Sequence, residues 1–156
     1  MRGKKKAPKR KIKPDVKYSN LQVAKFINYL MGRGKKTVAQ AVLYDALDII
    51  SEKTKEDSLV VFETAIKNVS PQLEIRSKRV GGANYQIPFP VKGDRKFALA
   101  SRWILGASRD KKGRRMAEKL AEELMAAAKN EGTAIKKKED VQRMAEANRA
   151  FAHFAR

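Results

Sequence analysis

Apolar residues in the first half of the chain recur three and four positions apart, which is the spacing of one face of a helix. Ser19 and Thr37 each precede a glutamine by three positions, so both fit an N-terminal capping box. Asp57 or Ser58 begins the next pattern, and Pro71 ends it because the residue before a proline avoids helical dihedrals. The sequence therefore predicts three helices, over about 20–31, 37–53 and 58–70.

The period changes to two between residues 85 and 91, where apolar and polar positions alternate as in a strand. The less regular segment 73–80 is its predicted partner, and residues 81–84 (GGAN) supply a turn that can take positive φ. Pro88 and Pro90 cannot donate to a strand ladder, which confines this strand to an edge. The sequence predicts a protruding β-hairpin over about 73–91, held by other parts of the chain because an isolated hairpin is marginally stable.

Helical spacing returns after the hairpin and predicts three more helices. They run from Asp94 as N-cap to about 107, from about Arg115 to Gly132, and from about Glu139 to 151. At 156 residues the chain suits one domain. The predicted fold class is mainly α, a single domain of about six helices with one β-hairpin arm. Residues 1–18 are predicted to form a basic N-terminal arm that is disordered without a partner, and residues 19–156 are predicted to form one helical domain.

Composition adds a strong positive charge, since 36 Lys and Arg against 17 Asp and Glu give a formal net charge of +19. Most of the cations fall in six short segments, namely 1–14, 33–36, 76–79, 92–96, 109–115 and 136–138. A surface that is merely solvated would mix both signs along its helix faces. This clustering indicates a nearly neutral globule with cationic loops and a cationic tail, and a nucleic acid as its partner.

Several function classes are excluded by what the chain lacks. It has no cysteine, and His153 is its only histidine, so we expect no metal site, no cofactor and no catalytic constellation. Glu118, Glu122 and Glu123 are interpreted as a solvated helix face. The apolar runs are too short to span a bilayer, and the basic N-terminus lacks the apolar region of a secretory signal. The protein is expected to act by binding.

Local motifs point to the same conclusion. The segment 32–37 (GRGKKT) lacks the spacing of a Walker A loop, but its lysines stand where a helix begins and suit a phosphate. Trp103 is expected in the core because apolar positions nearly surround its helix. Tyr85 and Phe89 share one face of the hairpin, where arm packing and RNA stacking are equally open.

Five stretches in the same order resemble the bacterial small-subunit ribosomal protein S-seven family. They are 24–28 (AKFIN), 34–36 (GKK), 77–88 (SKRVGGANYQIP), 98–104 (ALASRWI) and 132–154 (GTAIKKKEDVQRMAEANRAFAHF). The resemblance covers nearly the whole chain, from about Lys11 to Phe154. A more lysine-rich N-terminal arm and the spacer 108–113 depart from the family pattern.

The resemblance implies six helices and a β-ribbon arm. It also implies binding to the 3′ major domain of small-subunit rRNA, the start of head assembly, and a place at the tRNA exit site near the mRNA path. The implied partners are rRNA, E-site tRNA, mRNA and neighbouring proteins of the S-nine and S-eleven families. The protein would be a monomer within the ribosome in the cytoplasm.

Arginine and lysine side chains in the cationic segments are the candidate binding residues, since guanidinium groups suit phosphates bidentately. The candidate rRNA-binding residues are Lys4, Lys5, Lys6, Arg10, Lys11, Lys13, Lys35, Lys36, Arg76, Lys78, Arg79, Arg95, Lys96, Arg102, Arg109, Arg114 and Arg115. The candidate residues facing tRNA or mRNA are Gly81 and Gly82 at the hairpin tip and Arg143 and Arg149 on the last helix. Arg76 and Arg79 are expected to bind RNA without contributing to stability.

Two other classes of protein fit parts of the pattern. A DNA-bending architectural protein would also be small, helical and basic, with proline-bearing β-arms, but it usually needs an apolar dimer interface. An RNA-modifying enzyme would need a nucleophile or a cofactor loop, and the sequence offers neither.

Overall fold

A computed structural model describes residues 11–155, which form six α-helices, one antiparallel β-hairpin and a C-terminal 3₁₀ helix. The elements are α1 (Leu21–Leu30), α2 (Lys36–Thr54), α3 (Ser58–Val69), β1 (Leu73–Val80), β2 (Ala83–Pro90), α4 (Asp94–Asp110), α5 (Met116–Ala128), α6 (Thr133–Ala147) and the 3₁₀ helix (Arg149–Ala155). The predicted fold class, mainly helical with one hairpin, is confirmed.

Helix α5 lies at the centre of the helical body and packs against α2, α3, α4 and α6. Its apolar residues Leu120 and Leu124 are fully buried, as is Leu43 of α2. Phe26 of α1 and Phe62 of α3 meet edge to face, with ring centroids 5.3 Å apart. Each such side chain contributes about 1.5–3 kcal/mol when it leaves water, so this core carries the stability of the domain.

The helix starts differ in detail from the predicted capping boxes. Asn20, not Ser19, caps α1, and its Oδ1 accepts a hydrogen bond of 2.7 Å from the Gln22 amide. Ser19 has φ +50°, outside the extended region that an N-cap residue adopts. Thr37 lies inside α2, and Asp94 is the first residue of α4 rather than its cap. Asp57 does cap α3, and α3 ends before Pro71 as predicted.

Helix α6 begins at Thr133, six positions earlier than predicted, because a carboxylate from α5 caps it. Glu123 Oε1 accepts hydrogen bonds from the Ala134 amide (2.9 Å) and the Thr133 hydroxyl (3.1 Å). Its Oε2 pairs with Lys111 Nζ at 2.9 Å. The assignment of Glu123 to a solvated face is wrong, since it is 1% exposed. The 136–138 lysines consequently lie within a helix and not in a loop.

The hairpin turn is shorter than the predicted 81–84, because β2 begins at Ala83 opposite Val80 and leaves only Gly81 and Gly82, both with positive φ, in the turn. Pro88 lies opposite Ile75 in a sheet of two strands, so the described residues place no further strand beside it. The hairpin also packs against α6 and the 3₁₀ helix. These contacts provide the support that a lone hairpin needs.

The C-terminal 3₁₀ helix packs its aromatic residues against the hairpin. The Tyr85 ring lies 5.1 Å from that of Phe151 and 5.5 Å from that of Phe154. Lys78 Nζ donates to the Phe154 carbonyl at 2.9 Å. Of the two roles left open for Tyr85, the structure favours arm packing.

The segment before α1 packs against α2 from Asp15 onward. Asp15 is buried and accepts hydrogen bonds from the Tyr44 hydroxyl (2.7 Å) and the Lys17 and Tyr18 amides. Burial and this hydrogen bond raise the pKa of Tyr44 above its ordinary value. Lys17 also pairs with Asp48 at 2.9 Å. The packed part of the chain thus extends into the predicted 1–18 arm, whereas residues 1–10 lie outside the described residues.

Within the described chain, we find no helix of the length and apolar character that crossing a membrane requires.

We predict that Gly132→Ala destabilises the protein by about 2 kcal/mol or more, because Gly132 combines a strained conformation with a close contact. Its φ is +95°, and an added Cβ would lie 2.9 Å from Glu123 Oε1. Urea denaturation measures the change. Gly106→Ala is the matched control, since nothing lies within 4 Å of its Cβ and alanine favours helix by about 0.5–1 kcal/mol. Equal stabilities of the two variants would contradict the role assigned to Glu123.

Candidate nucleic-acid interface

The described candidate cations divide into side chains that have intramolecular partners and side chains that project without one. Partners within the protein are found for Arg76, Lys78, Arg95, Arg102, Arg109, Arg114 and Arg143. Within residues 11–155, no side-chain ion pair or hydrogen bond engages Lys11, Lys13, Lys35, Lys36, Arg79, Lys96, Arg115 or Arg149. The candidates Lys4, Lys5, Lys6 and Arg10 lie outside the described residues.

Helix α2 begins without a side-chain cap. Lys35 occupies the N-cap position and Lys36 the first helical position, and both are exposed. The turn before them has φ of +52° at Arg33 and +76° at Gly34. The Lys35 and Lys36 amides donate to the Gly32 and Gly34 carbonyls at 3.1 and 2.9 Å. The partial positive charge of the helix start and the two lysine side chains together suit a phosphate.

Helix α5 begins beside it and is likewise uncapped by any side chain, with Arg115 exposed at its N-cap position. Val38 of α2 and Met116 of α5 line one cleft of about 210 Å³, together with Lys35 and Arg109. Two helix starts therefore lie at the same end of the molecule. We call the exposed cations Lys35, Lys36 and Arg115 at this end the helix-start site.

Two arginines at this end also connect elements. Arg109 Nη2 donates to the Leu30 carbonyl at 3.3 Å, which joins the last turn of α4 to the last residue of α1. Arg114 pairs with Glu122 of α5, although its side chain remains 60% exposed. Both arginines are thereby held near the cleft with part of their donors available.

A second cationic cluster lies at the base of the hairpin, around Glu74. This carboxylate accepts from Arg76 of β1 at Oε1 and from Arg95 Nε of α4 at Oε2, the latter at 2.9 Å. Arg76 also lies over the Phe89 ring, 5.2 Å from its centroid. Burial alone would raise the pKa of Glu74, but hydrogen bonds from Arg95 and Arg76 and their charges outweigh it and hold the pKa below its usual value.

The three hairpin cations do not form one basic side. Arg76 and Lys78 are two positions apart on β1 and share a face, whereas Arg79 points to the opposite face because strand side chains alternate. Arg79 is exposed near the tip, opposite Asn84. The expected grouping of these three residues is therefore wrong, and Arg76 has a structural contact that Arg79 lacks.

A groove of about 700 Å³ lies between α1, α4 and the segment before α1. Its walls include Ile12, Leu21 and the rings of Tyr29 and Phe97. Lys25 pairs with Asp94 at 2.8 Å beside it. Arg102 of α4 lies over the ring of Tyr29 of α1, 5.9 Å from its centroid. Trp103, which was expected in the core, is only half-buried at the edge of the core.

The residues expected to face tRNA or mRNA are all exposed but do not share one helix. Gly81 and Gly82 form the hairpin tip. Arg143 lies on α6, 3.7 Å from Asp140. Arg149 begins the 3₁₀ helix after α6 has ended, so the expected spacing of two arginines on one helix is wrong.

The sequence did not reveal three buried acidic residues that bind groups from other parts of the chain. Asp15, Glu74 and Glu123 are at most 6% exposed, and each binds groups from another element or turn. For Glu74 a signal existed, because a two-residue turn puts it on the same face as Ile87, which is fully buried. Among the described residues, no group of three or more His, Asp or Glu side chains could hold a metal ion.

Known proteins resemble the chain along nearly its whole length. A model of the family described as ribosomal protein S7p/S5e matches residues 2–149. Small ribosomal subunit protein uS7 of Thermotoga neapolitana is 59% identical over 151 residues, 97% of each chain. The proteins of the same name from Chloroflexus aurantiacus and Desulfatibacillum aliphaticivorans are 53% and 51% identical, covering 95% and 99% of this chain and 94% and 99% of theirs.

We predict that Arg76→Ala lowers the melting temperature by about 2–6 °C, because the buried Glu74 loses one of its two partners. Arg79→Ala removes the same charge but no described contact, and its melting temperature stays within about 1 °C of the parent. Thermal unfolding followed by circular dichroism compares the two variants. If both melt like the parent protein, Arg76 is not a structural residue.

Proposed function

The chain belongs to the ribosomal protein S7p/S5e family, and we propose that as a protein of the small ribosomal subunit it binds rRNA through preorganised cationic sites. The more detailed proposal is that it binds the 3′ major domain, nucleates head assembly and lies at the tRNA exit site near the mRNA path. Neighbouring proteins of the S-nine and S-eleven families are proposed partners. Its bacterial relatives support a location in cytoplasmic ribosomes.

The observation that carries the proposal is the helix-start site, where α2 and α5 begin side by side without side-chain caps. Two helix starts and three exposed cations at one place match the geometry of a phosphate backbone. The deep major groove of A-form RNA hides its bases, so we propose that recognition depends on backbone shape and junction geometry. We propose binding, without catalysis, as the activity of the chain.

The N-terminal residues complete the proposal. Residues 1–18 are proposed as a basic arm and residues 19–156 as the domain that carries it, with Lys11 and Lys13 exposed where the arm meets the body. Lys4, Lys5, Lys6 and Arg10 would neutralise further phosphates. Each neutralised phosphate releases counterions, so this part adds affinity more than specificity.

The structure disfavours the DNA-bending alternative. A bending protein inserts an apolar wedge between base steps, usually from an exposed arm. Here Pro88 is buried at the base of the hairpin, opposite Ile75, whereas the exposed tip consists of Gly81 and Gly82. The hairpin tip therefore has no wedge side chain to insert.

We predict a preference of about 10³ or more for a 3′ major-domain rRNA fragment over duplex DNA of equal charge at physiological salt.

The slope of log K against log salt is negative, and it should become less negative by about 1.4–1.8 in Lys35→Gln/Lys36→Gln, since two phosphate contacts are lost. Lys53→Gln/Lys55→Gln removes the same charge at the other end of α2 and leaves the slope nearly unchanged. Equal slopes for both pairs, or equal affinity for RNA and DNA, would contradict the proposed function.

A further inference from the structure

Glu74 is a carboxylate at the centre of a surface whose proposed partner is a polyanion. Its side chain is 8% exposed, while its partners Arg76 and Arg95 are 57% and 46% exposed. A carboxylate that only filled space would weaken binding to phosphate. Its position between two exposed arginines is instead explained if it contributes to binding.

The two arginines come from different elements. Arg76 is on β1 and Arg95 is in the first turn of α4, 21 positions after Glu74 along the chain. Each takes one oxygen of the same carboxylate, and Phe89 supports the flat face of the Arg76 guanidinium. One buried carboxylate therefore holds two guanidinium groups at fixed positions relative to each other.

A guanidinium carries five N–H donors in a rigid plane, and one carboxylate oxygen uses only one edge of it. Both side chains remain about half exposed, so a ligand can reach the remaining donors. An exposed arginine normally loses much rotamer freedom when it binds, which weakens association. Because Glu74 has already restricted both side chains, the loss on binding a phosphate is smaller.

We infer that Glu74 is a positioning residue, which presents Arg76 and Arg95 together as one binding unit for the phosphodiester backbone of RNA. This inference rests on the proposed function, since it assumes that the partner is rRNA. The competing role is purely structural, in which Glu74 only ties the hairpin to α4.

The direct test is Glu74→Gln, assayed for binding to the 3′ major-domain rRNA fragment at neutral pH. Removing a negative charge should strengthen binding to RNA if charge alone mattered. Positioning predicts the opposite, a loss of about tenfold. Glu56→Gln makes the same change at an exposed site after α2, and its affinity should stay equal to the parent or increase slightly.

A double-mutant cycle tests whether Glu74 acts through the two arginines. Glu74→Gln should cause no further loss of affinity in an Arg76→Gln/Arg95→Gln background, because the groups through which it acts are gone. An equal loss in both backgrounds would mean that Glu74 affects binding by another route, and it would overturn the inference.

If Glu74→Gln does not fold, Arg95→Lys provides the test at constant charge. Lysine cannot reproduce the guanidinium fork, so binding should weaken several-fold. Lys129→Arg makes the reverse exchange at an exposed lysine after α5, at equal charge, and should change the affinity little. Equal effects of these two substitutions would overturn the inference.

The parent protein distinguishes this inference from the proposed function. A parent without preference for the rRNA fragment contradicts the proposed function, yet the Glu74→Gln ratio can still be measured on the same RNA. If the parent shows that preference and the Glu74→Gln variant binds the fragment at least as tightly as the parent, the proposed function is supported and the inference is overturned.

Discussion

The arrangement of the molecule depends on a buried carboxylate, that of Glu123 in the central helix. It caps the start of α6 by accepting a hydrogen bond from the Ala134 amide, and it forms an ion pair with Lys111 in the α4–α5 loop. Helix α6 in turn packs against β1, and the 3₁₀ helix that follows it packs against β2. A buried unpaired charge is costly, so these partners must remain in place for the core to form. The position of the hairpin thus follows from a contact inside the helical body.

The same principle recurs where the body meets the cationic surface. Asp15 fixes the segment before α1 through the hydroxyl of Tyr44, and Glu74 fixes the hairpin base through Arg95. Three acidic side chains, Asp15, Glu74 and Glu123, are thus buried and hold elements together, whereas no lysine or arginine among the described residues is buried. A net charge of +19 would otherwise act as diffuse repulsion; here it is confined to sites that a polyanion can neutralise.

Periodicity and turn chemistry sufficed to predict the six helices and the hairpin, because burial of one face dictates both. The strand register was not predicted, because the turn contains only Gly81 and Gly82 and is two residues shorter than the 81–84 segment suggested. Helix starts were less predictable, since Asn20 caps α1 only because Ser19 takes a positive φ. The start of α6 could not be predicted locally, because its cap comes from Glu123 in another helix. Which cations remain open, such as Arg79, and which are held, such as Arg76, likewise depends on tertiary partners.

We propose that RNA binds at defined cationic sites and does not simply respond to the total charge. Acylation of lysines with and without the 3′ major-domain rRNA fragment, quantified by mass spectrometry, distinguishes the two possibilities. Binding at defined sites predicts strong protection of Lys35 and Lys36 where α2 and α5 begin, while Lys53 and Lys129, at the other ends of the same helices, stay reactive. Equal protection of both sets would show that RNA covers the cations without regard to site.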